Sequence, residues 1–433
     1  MISKIQNIFK IPELRRRILF TLGLLVVYRI GGHIPVPGID AQALAAFFQQ
    51  ASNTLFGLFD LFAGGNLSNA TIFALGIMPY ISASIILQLL GAVVPYFEKL
   101  QKEGEEGRKK ITQYTRYGTV ALSVIQGAGV SFWLVNMGFV PEPSLLHHFI
   151  VVLTLTAGTT FIMWLGEQIT DHGIGNGISL IIFIGIVASA PNAIFDTFRS
   201  VKAGTLSVFE LLILGLLMAA ITASIVLITQ GQRRILVQYP QRIKGRKMYR
   251  GQSSHIPLRI NAAGVIPIIF AQSIIMFPGT IAAFLTNTPV GNLAEVIQNW
   301  FSPDHAVYSI IYGLMVVFFT YFYTAIIFNP VDVADNLKRY GGYVPGVRPG
   351  KRTAEFIDRI LTRVTLPGSI FLALIAVVPY WLIYGMNVPF YFGGTGLLIV
   401  VGVALDTLQQ IEAHLVMRHY DGLMKGGRLR GRR

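Results

Sequence analysis

Ten long apolar runs dominate this 433-residue sequence, and a chain that carries them must fold mostly within a membrane. A helical span of a bilayer takes about 20 apolar residues. The chain is 53% hydrophobic and 13% charged, whereas a typical soluble protein has about 25% charged residues. This composition excludes a soluble enzyme and a disordered chain, and the lack of cysteine excludes a disulfide-stabilised domain. We predict spans at about 18–34, 76–95, 116–138, 149–168, 177–194, 208–229, 261–286, 307–328, 364–385 and 393–413.

The positive charges sort these runs into an alternating topology. With ten spans, all but three of the 35 Lys and Arg residues lie on one side of the membrane, the exceptions being Arg29, Arg199 and Lys202. The positive-inside rule therefore predicts that both termini are cytoplasmic. The sequence divides into a basic amphipathic interfacial helix with Pro12 interrupting it, two five-span halves and a basic cytoplasmic tail, at 1–17, 18–200, 201–413 and 414–433.

A weak internal echo relates the two halves. Gly76-Ile77-Met78-Pro79 and the following Ser-Ile-Ile match a similar string that begins at Gly264, and the two copies run in opposite directions across the bilayer. Inverted repeats of this kind are typical of transport proteins, so a secondary transporter for a small solute is one interpretation. However, the spans carry few ionisable residues, chiefly Glu167 and Asp406 besides Arg29, and none has an obvious partner at the midplane. This scarcity disfavours an ion-coupled carrier.

A short apolar stretch at 55–63 cannot span the bilayer, because its nine residues are too few to cross about 30 Å of hydrocarbon. It is either a re-entrant half-helix covered by protein or a surface helix packed on an external loop. The glycine-rich segment 169–176 predicts a tight reversal between helices rather than a phosphate loop. We predict that His147 and His148 form a solvated pair on an outer loop. We find no catalytic motif and predict neither enzymatic activity nor a cofactor.

Two inner loops concentrate basic residues. The loop 230–260 contains eight Lys and Arg residues with no acidic residue, and the loop 329–363 is also rich in Lys and Arg. Membrane topology alone requires only a few such charges, so the excess predicts docking of a polyanion or an acidic protein. The alternative is that the charges serve topology alone.

Several long strings, spread in order along the whole chain, resemble the SecY family, whose members form the central subunit of the bacterial Sec protein-translocation channel. They are ALGIMPYISASII (74–86), QYTRYG (113–118), MWLGEQITDHGIGNGIS (163–179), GQRRI (231–235), AGVIPIIFAQSII (263–275), the 334–350 stretch and VPFYFGGTGLLIVV (388–401). The resemblance implies an all-α polytopic membrane protein with ten transmembrane helices in two inverted five-helix halves around a central pore.

The resemblance also implies site residues. The family's pore ring matches six isoleucines: Ile81, Ile85, Ile182, Ile186, Ile274 and Ile399. Its plug matches about 55–73, with Leu55, Phe59, Asp60, Phe62, Gly64, Gly65 and Asn66, although the plug sequence here is the chain's own. Its docking loops match Arg242, Lys244, Arg246, Lys247, Arg348, Lys351 and Arg352.

From the same resemblance we expect a protein-conducting channel in the cytoplasmic (inner) membrane. Such a channel passes unfolded chains across the bilayer and releases transmembrane helices through a lateral gate into lipid. The expected partners are SecE-like and SecG-like small membrane subunits, the SecA motor ATPase, the ribosome through its rRNA and proteins, signal sequences, nascent chains and membrane lipid.

Overall fold

A helix lies at each of the ten predicted spans. The computed structural model describes residues 11–50, 55–204, 207–239, 242–244, 247–249, 253–285, 300, 305–386 and 394–426. Up to the central loop, the helices are α1 (Pro12–Gly31), α2 (Ala41–Gln50), α3 (Leu55–Ala63), α4 (Met78–Val93), α5 (Pro95–Lys102), α6 (Glu105–Asn136), α7 (Leu145–His172), α8 (Gly177–Lys202) and α9 (Val208–Gln230). Beyond that loop, they are α10 (Ile266–Leu285), α11 (Ala306–Ile327), α12 (Pro330–Arg339), α13 (Lys351–Met386) and α14 (Gly394–Gly426).

Among the described residues, seven helices are long and apolar enough to cross a membrane, and α4 with α5 makes an eighth if this pair, bent by 98°, forms one span. The chain is therefore a multi-pass membrane protein. The helix α1 fails the same test because Glu13 and Arg15–Arg17 lie in its first turns, and α10 contributes only a short apolar window. The count of ten spans and the inverted symmetry of the halves stay predictions.

The predicted boundary at residue 17 does not separate two helices. Pro12 was expected to interrupt the N-terminal helix, and α1 begins at this residue and continues unbroken to Gly31. Proline suits this position because the missing N–H has no partner there in any helix. At the other terminus, α14 runs past the predicted tail boundary to Gly426, since no Gly or Pro occurs between Gly402 and Gly422. Residues 1–10 and 427–433 lie outside the described residues.

The chain forms two compact units. The first, which we call the N-terminal unit, comprises Met1–Phe198, Ser273–His305 and Val403–Arg433, and the second comprises Arg199–Gln272 and Ala306–Gly402. In the first unit, α6 packs along α7 and α4, while α1 packs on α7. In the second unit, α11 packs along α13.

The basic loop 230–260 contains a small β structure that the all-α prediction lacked. β1 (Gln232–Gln238) pairs in antiparallel register with β4 (Ser253–Arg259), and β2 (Arg242–Lys244) pairs with β3 (Lys247–Tyr249). One face of β1 is covered: Ile235 and Val237 are buried, while Leu236 between them is exposed. This period of two is typical of a strand with one covered face.

The two basic loops form one body rather than two separate loops. A backbone bridge joins them, because the N–H groups of Gln238 and Tyr343 each donate to the other's carbonyl oxygen at 2.9 Å. A shared apolar core lies beneath the bridge and draws on β1, β4, α12 and the first turns of α13: Ile235, Val237, Leu258, Leu337, Val344, Ile357 and Leu361. The second loop is thus largely helical, since α12 and the start of α13 occupy much of it.

Candidate functional site

The short apolar helix predicted at 55–63 is present as α3, with the predicted bounds. Phe59, Phe62 and Asn66 are buried within the N-terminal unit, and Asp60 is half-buried. Leu55 begins the helix, but its side chain lies outside the described part of the structure. A short apolar helix that is buried in protein fits the interpretation of a re-entrant half-helix better than that of a surface helix on an external loop.

Asp60 organises the turn that follows α3. Its Oδ1 accepts hydrogen bonds from the backbone N–H groups of Leu67 and Ser68, both at 2.9 Å. Burial raises the pKa of the Asp60 carboxyl above its ordinary 3.8, while the hydrogen bonds from Ser68 and Leu67 act in the opposite direction. The carboxyl therefore closes the loop back onto the helix that carries it.

The carboxyl end of α3 is held against α1 and α8. The Asn66 side-chain amide donates to the Tyr28 hydroxyl at 3.1 Å and to the carbonyl of Ala63. Gly64 has a φ of +76°, and a Cβ added to it would lie 2.9 Å from the Cα of Gly185. Backbone thus meets backbone at this point, which only a pair of glycines permits.

The contact at Gly185 lies between two of the predicted pore residues. Ile182 and Ile186 flank Gly185 on α8 and are buried, as are Ile81 and Ile85 on α4. Ile274 on α10 is half-buried in this same N-terminal unit, whereas Ile399 on α14 is buried in the other unit. The structure therefore brings the plug segment to a helix that carries two of these isoleucines, and their roles as pore residues stay predictions.

The predicted docking residues differ in how fully they are described. Arg348, Lys351 and Arg352 are exposed. The carbonyl oxygen of Arg348 accepts a hydrogen bond from the Thr353 hydroxyl at 2.9 Å, which fixes the turn before α13. Arg242, Lys244 and Lys247 lie on the β2–β3 pair, but the structure does not describe their side chains. Arg246 lies outside the described residues.

An ion pair between α6 and α7 was not predicted. The Arg116 guanidinium makes two hydrogen bonds to the Glu167 carboxylate, at 2.9 and 2.8 Å. At the sequence level, partners for Glu167 were considered only at the midplane of the membrane. Arg116 lies in QYTRYG and Glu167 in MWLGEQ, two of the strings that carry the resemblance, but neither string indicates that the two side chains pair.

The tight reversal predicted at 169–176 is confirmed, since α7 ends at His172 and α8 begins at Gly177. Side chains from both ends of the chain hold this turn. The Thr21 hydroxyl accepts from the Ile174 N–H at 3.1 Å, and the Gln410 side-chain oxygen accepts from the Gly175 N–H at 3.0 Å. The first and last helices thus meet at one turn of the N-terminal unit.

The prediction of a solvated histidine pair was wrong. His147 and His148 lie in the first turn of α7, and the ring of His148 shares a hydrogen bond with the Ser131 hydroxyl at 2.8 Å. Ser144 caps the helix three residues before His147, so these histidines belong to a helix rather than a loop. No cluster of His, Asp or Glu suited to a metal ion occurs within the described ranges.

Comparison with known sequences decides the family. The SecY family profile matches residues 71–408, which is well over half of the chain. The chain belongs to the SecY family. The protein translocase subunit SecY of Escherichia coli K12 is 48% identical over 423 residues, covering 97% of this chain and 96% of the relative. The SecY subunit of Aquifex aeolicus is 44% identical over 432 residues and is covered completely.

Solved structures support the SecY fold independently. A protein-conducting channel matches with a TM-score of 0.66 at 18% identity, covering 93% of both chains. A SecY protein studied for its plug domain matches with a TM-score of 0.68 at 18% identity, covering 93% of this chain and 92% of its own. A Sec61 channel from a canine ribosome complex matches with a TM-score of 0.62 at 16% identity, covering 93% of both chains.

Proposed function

We propose that this chain is the channel-forming subunit of a protein translocase. It conducts unfolded polypeptides across the cytoplasmic membrane and releases transmembrane helices sideways into lipid. Family membership over nearly the whole chain supports this function and does not support the alternative of a small-solute transporter. The structural observation that carries it is the close approach of Gly64, just after the short helix α3, to Gly185 on α8.

In this proposal, the segment 55–73 is the plug, and six isoleucines form the hydrophobic ring: Ile81, Ile85, Ile182, Ile186, Ile274 and Ile399. Aliphatic side chains offer no hydrogen bond to water, so a ring of them disfavours a continuous file of water and ions. The same side chains deform around a passing polypeptide. The burial of the isoleucines on α4 and α8 supports this role, because isoleucines that face lipid would be exposed in an isolated chain.

The body built from the two basic loops is the docking surface for cytoplasmic partners. Its exposed Arg348, Lys351 and Arg352 supply a positive patch, and a polyanion or an acidic protein surface is the matching chemistry. We assign the SecA motor and the ribosome to this surface, and SecE-like and SecG-like subunits to the membrane. The energy for transport comes from the motor, and both termini face the cytoplasm.

Reconstitution tests this function directly. The chain is placed in vesicles with its small membrane subunits, the motor ATPase, ATP and an unfolded secretory protein. We expect the secretory protein to become resistant to external protease only when the motor and ATP are present. Saturable uptake of a small solute, with no protected polypeptide, would instead establish a transporter.

A further inference from the structure

A cluster of five aromatic rings surrounds the beginning of α3. We name it the aromatic cage, and its members are Phe47, Phe48, Phe56, Trp133 and Phe139. Phe56, in the first turn of α3, stacks on Trp133 with a ring-centroid distance of 5.0 Å and an interplanar angle of 20°. Phe47 contacts Phe56 edge-on at 6.1 Å and Trp133 at 5.7 Å. Phe56 is the one ring of the cage that belongs to the plug.

A backbone hydrogen bond joins the segments that carry the other rings. The N–H of Asp40 donates to the carbonyl of Phe139 at 2.9 Å, which joins the start of α2 to the loop after α6. The Asp40 carboxylate also caps α2 by accepting from the N–H groups of Gln42 and Ala43. Trp133, near the carboxyl end of α6, is 3% exposed. Phe56 therefore docks on a fixed receptor.

The receptor includes an unsatisfied donor. The Nε1 of Trp133 is buried and has no hydrogen-bond partner among the described residues. A buried N–H without a partner is unfavourable, whereas one that reaches water is satisfied. The docked plug therefore combines a favourable stack of Phe56 on Trp133 with an unsatisfied donor in the same indole. The two effects oppose each other, which suits a contact that must be released and remade.

We propose that Trp133 is a positioning residue that holds the plug in its closed place through Phe56. This inference rests on the proposed channel function. The plug is then fixed at both ends: at its amino end by the aromatic cage, and at its carboxyl end by the contacts of Asn66 and Gly64 with α1 and α8. Opening requires Phe56 to leave Trp133, which uncovers the face of the indole on which Phe56 stacks.

The test uses the full chain with its small membrane subunits. The chain has four tryptophans, so Trp164→Phe, Trp300→Phe and Trp381→Phe leave Trp133 as the single one, and excitation is chosen to select tryptophan over tyrosine. In this background Phe56→Leu removes the stacked ring and Phe56→Tyr keeps one. Phe149→Leu is the matched control, because Phe149 is 65% exposed and outside the cage. We expect Phe56→Leu to shift the Trp133 emission to longer wavelength, and Phe56→Tyr and the control to leave it unchanged.

A second measurement follows chloride efflux from vesicles of phosphatidylethanolamine and phosphatidylglycerol, with the tryptophans in place. We expect Phe56→Leu to increase the resting efflux about tenfold, the order of effect that losing one well-packed aromatic pair gives. Trp133→Leu should have a similar effect. Because both changes remove the same contact, the double variant should leak no more than the leakier single variant. Phe56→Tyr should restore the low efflux.

The two proposals fail on different results. If the unaltered chain translocates no polypeptide, the channel function is wrong. If it translocates normally but Phe56→Leu leaves both the emission of Trp133 and the efflux unchanged, the positioning role of Trp133 is wrong. Multiplying effects of the two single variants in the double variant would also overturn it, because independent sites do not share a contact.

Discussion

Gly185→Ala places a methyl group where the plug segment meets α8. The new Cβ would lie 3.0 Å from the Cα of Gly64 and 3.5 Å from its nitrogen. Both neighbours are backbone atoms, which cannot turn aside as the end of a flexible side chain can. The substitution does not harm α8 itself, because alanine favours a helix over glycine by about 1 kcal/mol. The strain therefore falls on the seat of the plug.

The size of the effect follows from this geometry. An added methyl group in a well-packed site costs about 1–3 kcal/mol when its neighbours must move. Because the plug segment can leave its seat more easily than the membrane helix can deform, most of this cost weakens the closed state. A free energy of that size shifts a two-state equilibrium about 5- to 150-fold. We expect the resting efflux of ions from vesicles to rise within that range.

The assay compares ion efflux with thermal unfolding of the same protein in detergent. Gly23→Ala on α1 is the matched control, because no atom lies within 4 Å of a Cβ placed there. We expect Gly185→Ala to leak while its unfolding temperature stays near that of the control. If Gly185→Ala seals as well as the unaltered protein, the reasoning that the plug seats on α8 at Gly185 is refuted.

Three further predictions concern charged groups. Because the pKa of Asp60 is raised in the folded protein, its contribution to stability is full below its unfolded pKa and is lost as pH rises through the folded pKa. We therefore expect ion efflux through the unaltered protein to rise as the pH rises above about 4. The Asp60→Asn variant keeps the acceptor oxygen, and its efflux should not rise with pH. Parallel pH profiles of the two proteins would contradict this. Arg116→Glu or Glu167→Arg should each lower the free energy of unfolding by about 1 kcal/mol, and the double exchange should recover part of it in denaturant titrations; additive losses would argue against the pair. Arg348→Glu should impair motor-driven translocation in vesicles while the complex still copurifies, and unchanged transport would remove Arg348 from the docking surface.

The sequence predicted those features that follow from composition and local pattern. The apolar runs are long enough to mark each spanning helix, and the nine-residue stretch at 55–63 was recognisable because it is too short to span. The glycines at 173–177 marked a reversal for a similarly local reason. These features need no knowledge of what packs against them.

Features that depend on distant residues could not be predicted from the sequence. The Arg116–Glu167 pair joins residues 51 positions apart, and the Thr21 and Gln410 contacts join the turn at 173–176 to the two ends of the chain. The aromatic cage likewise gathers rings from α2, α3, α6 and a loop. Phenylalanine and tryptophan are common in membrane helices, so only the folded arrangement distinguishes this cluster. The β ribbon was missed because Ile235, Leu236 and Val237 are all apolar, so their alternation between buried and exposed is visible only in the fold.

Crosslinking at two adjacent residues tests the central claim most directly. Ile85 and Ile86 are neighbours on α4, yet Ile85 is 2% exposed and Ile86 is 48% exposed. The chain has no cysteine, so Ile85→Cys and Ile86→Cys each provide a single reactive thiol. With a secretory chain stalled during translocation, we predict that it crosslinks to position 85 and not to position 86. Equal crosslinking at both positions, or crosslinking at 86 alone, would contradict a channel lined by this face of α4.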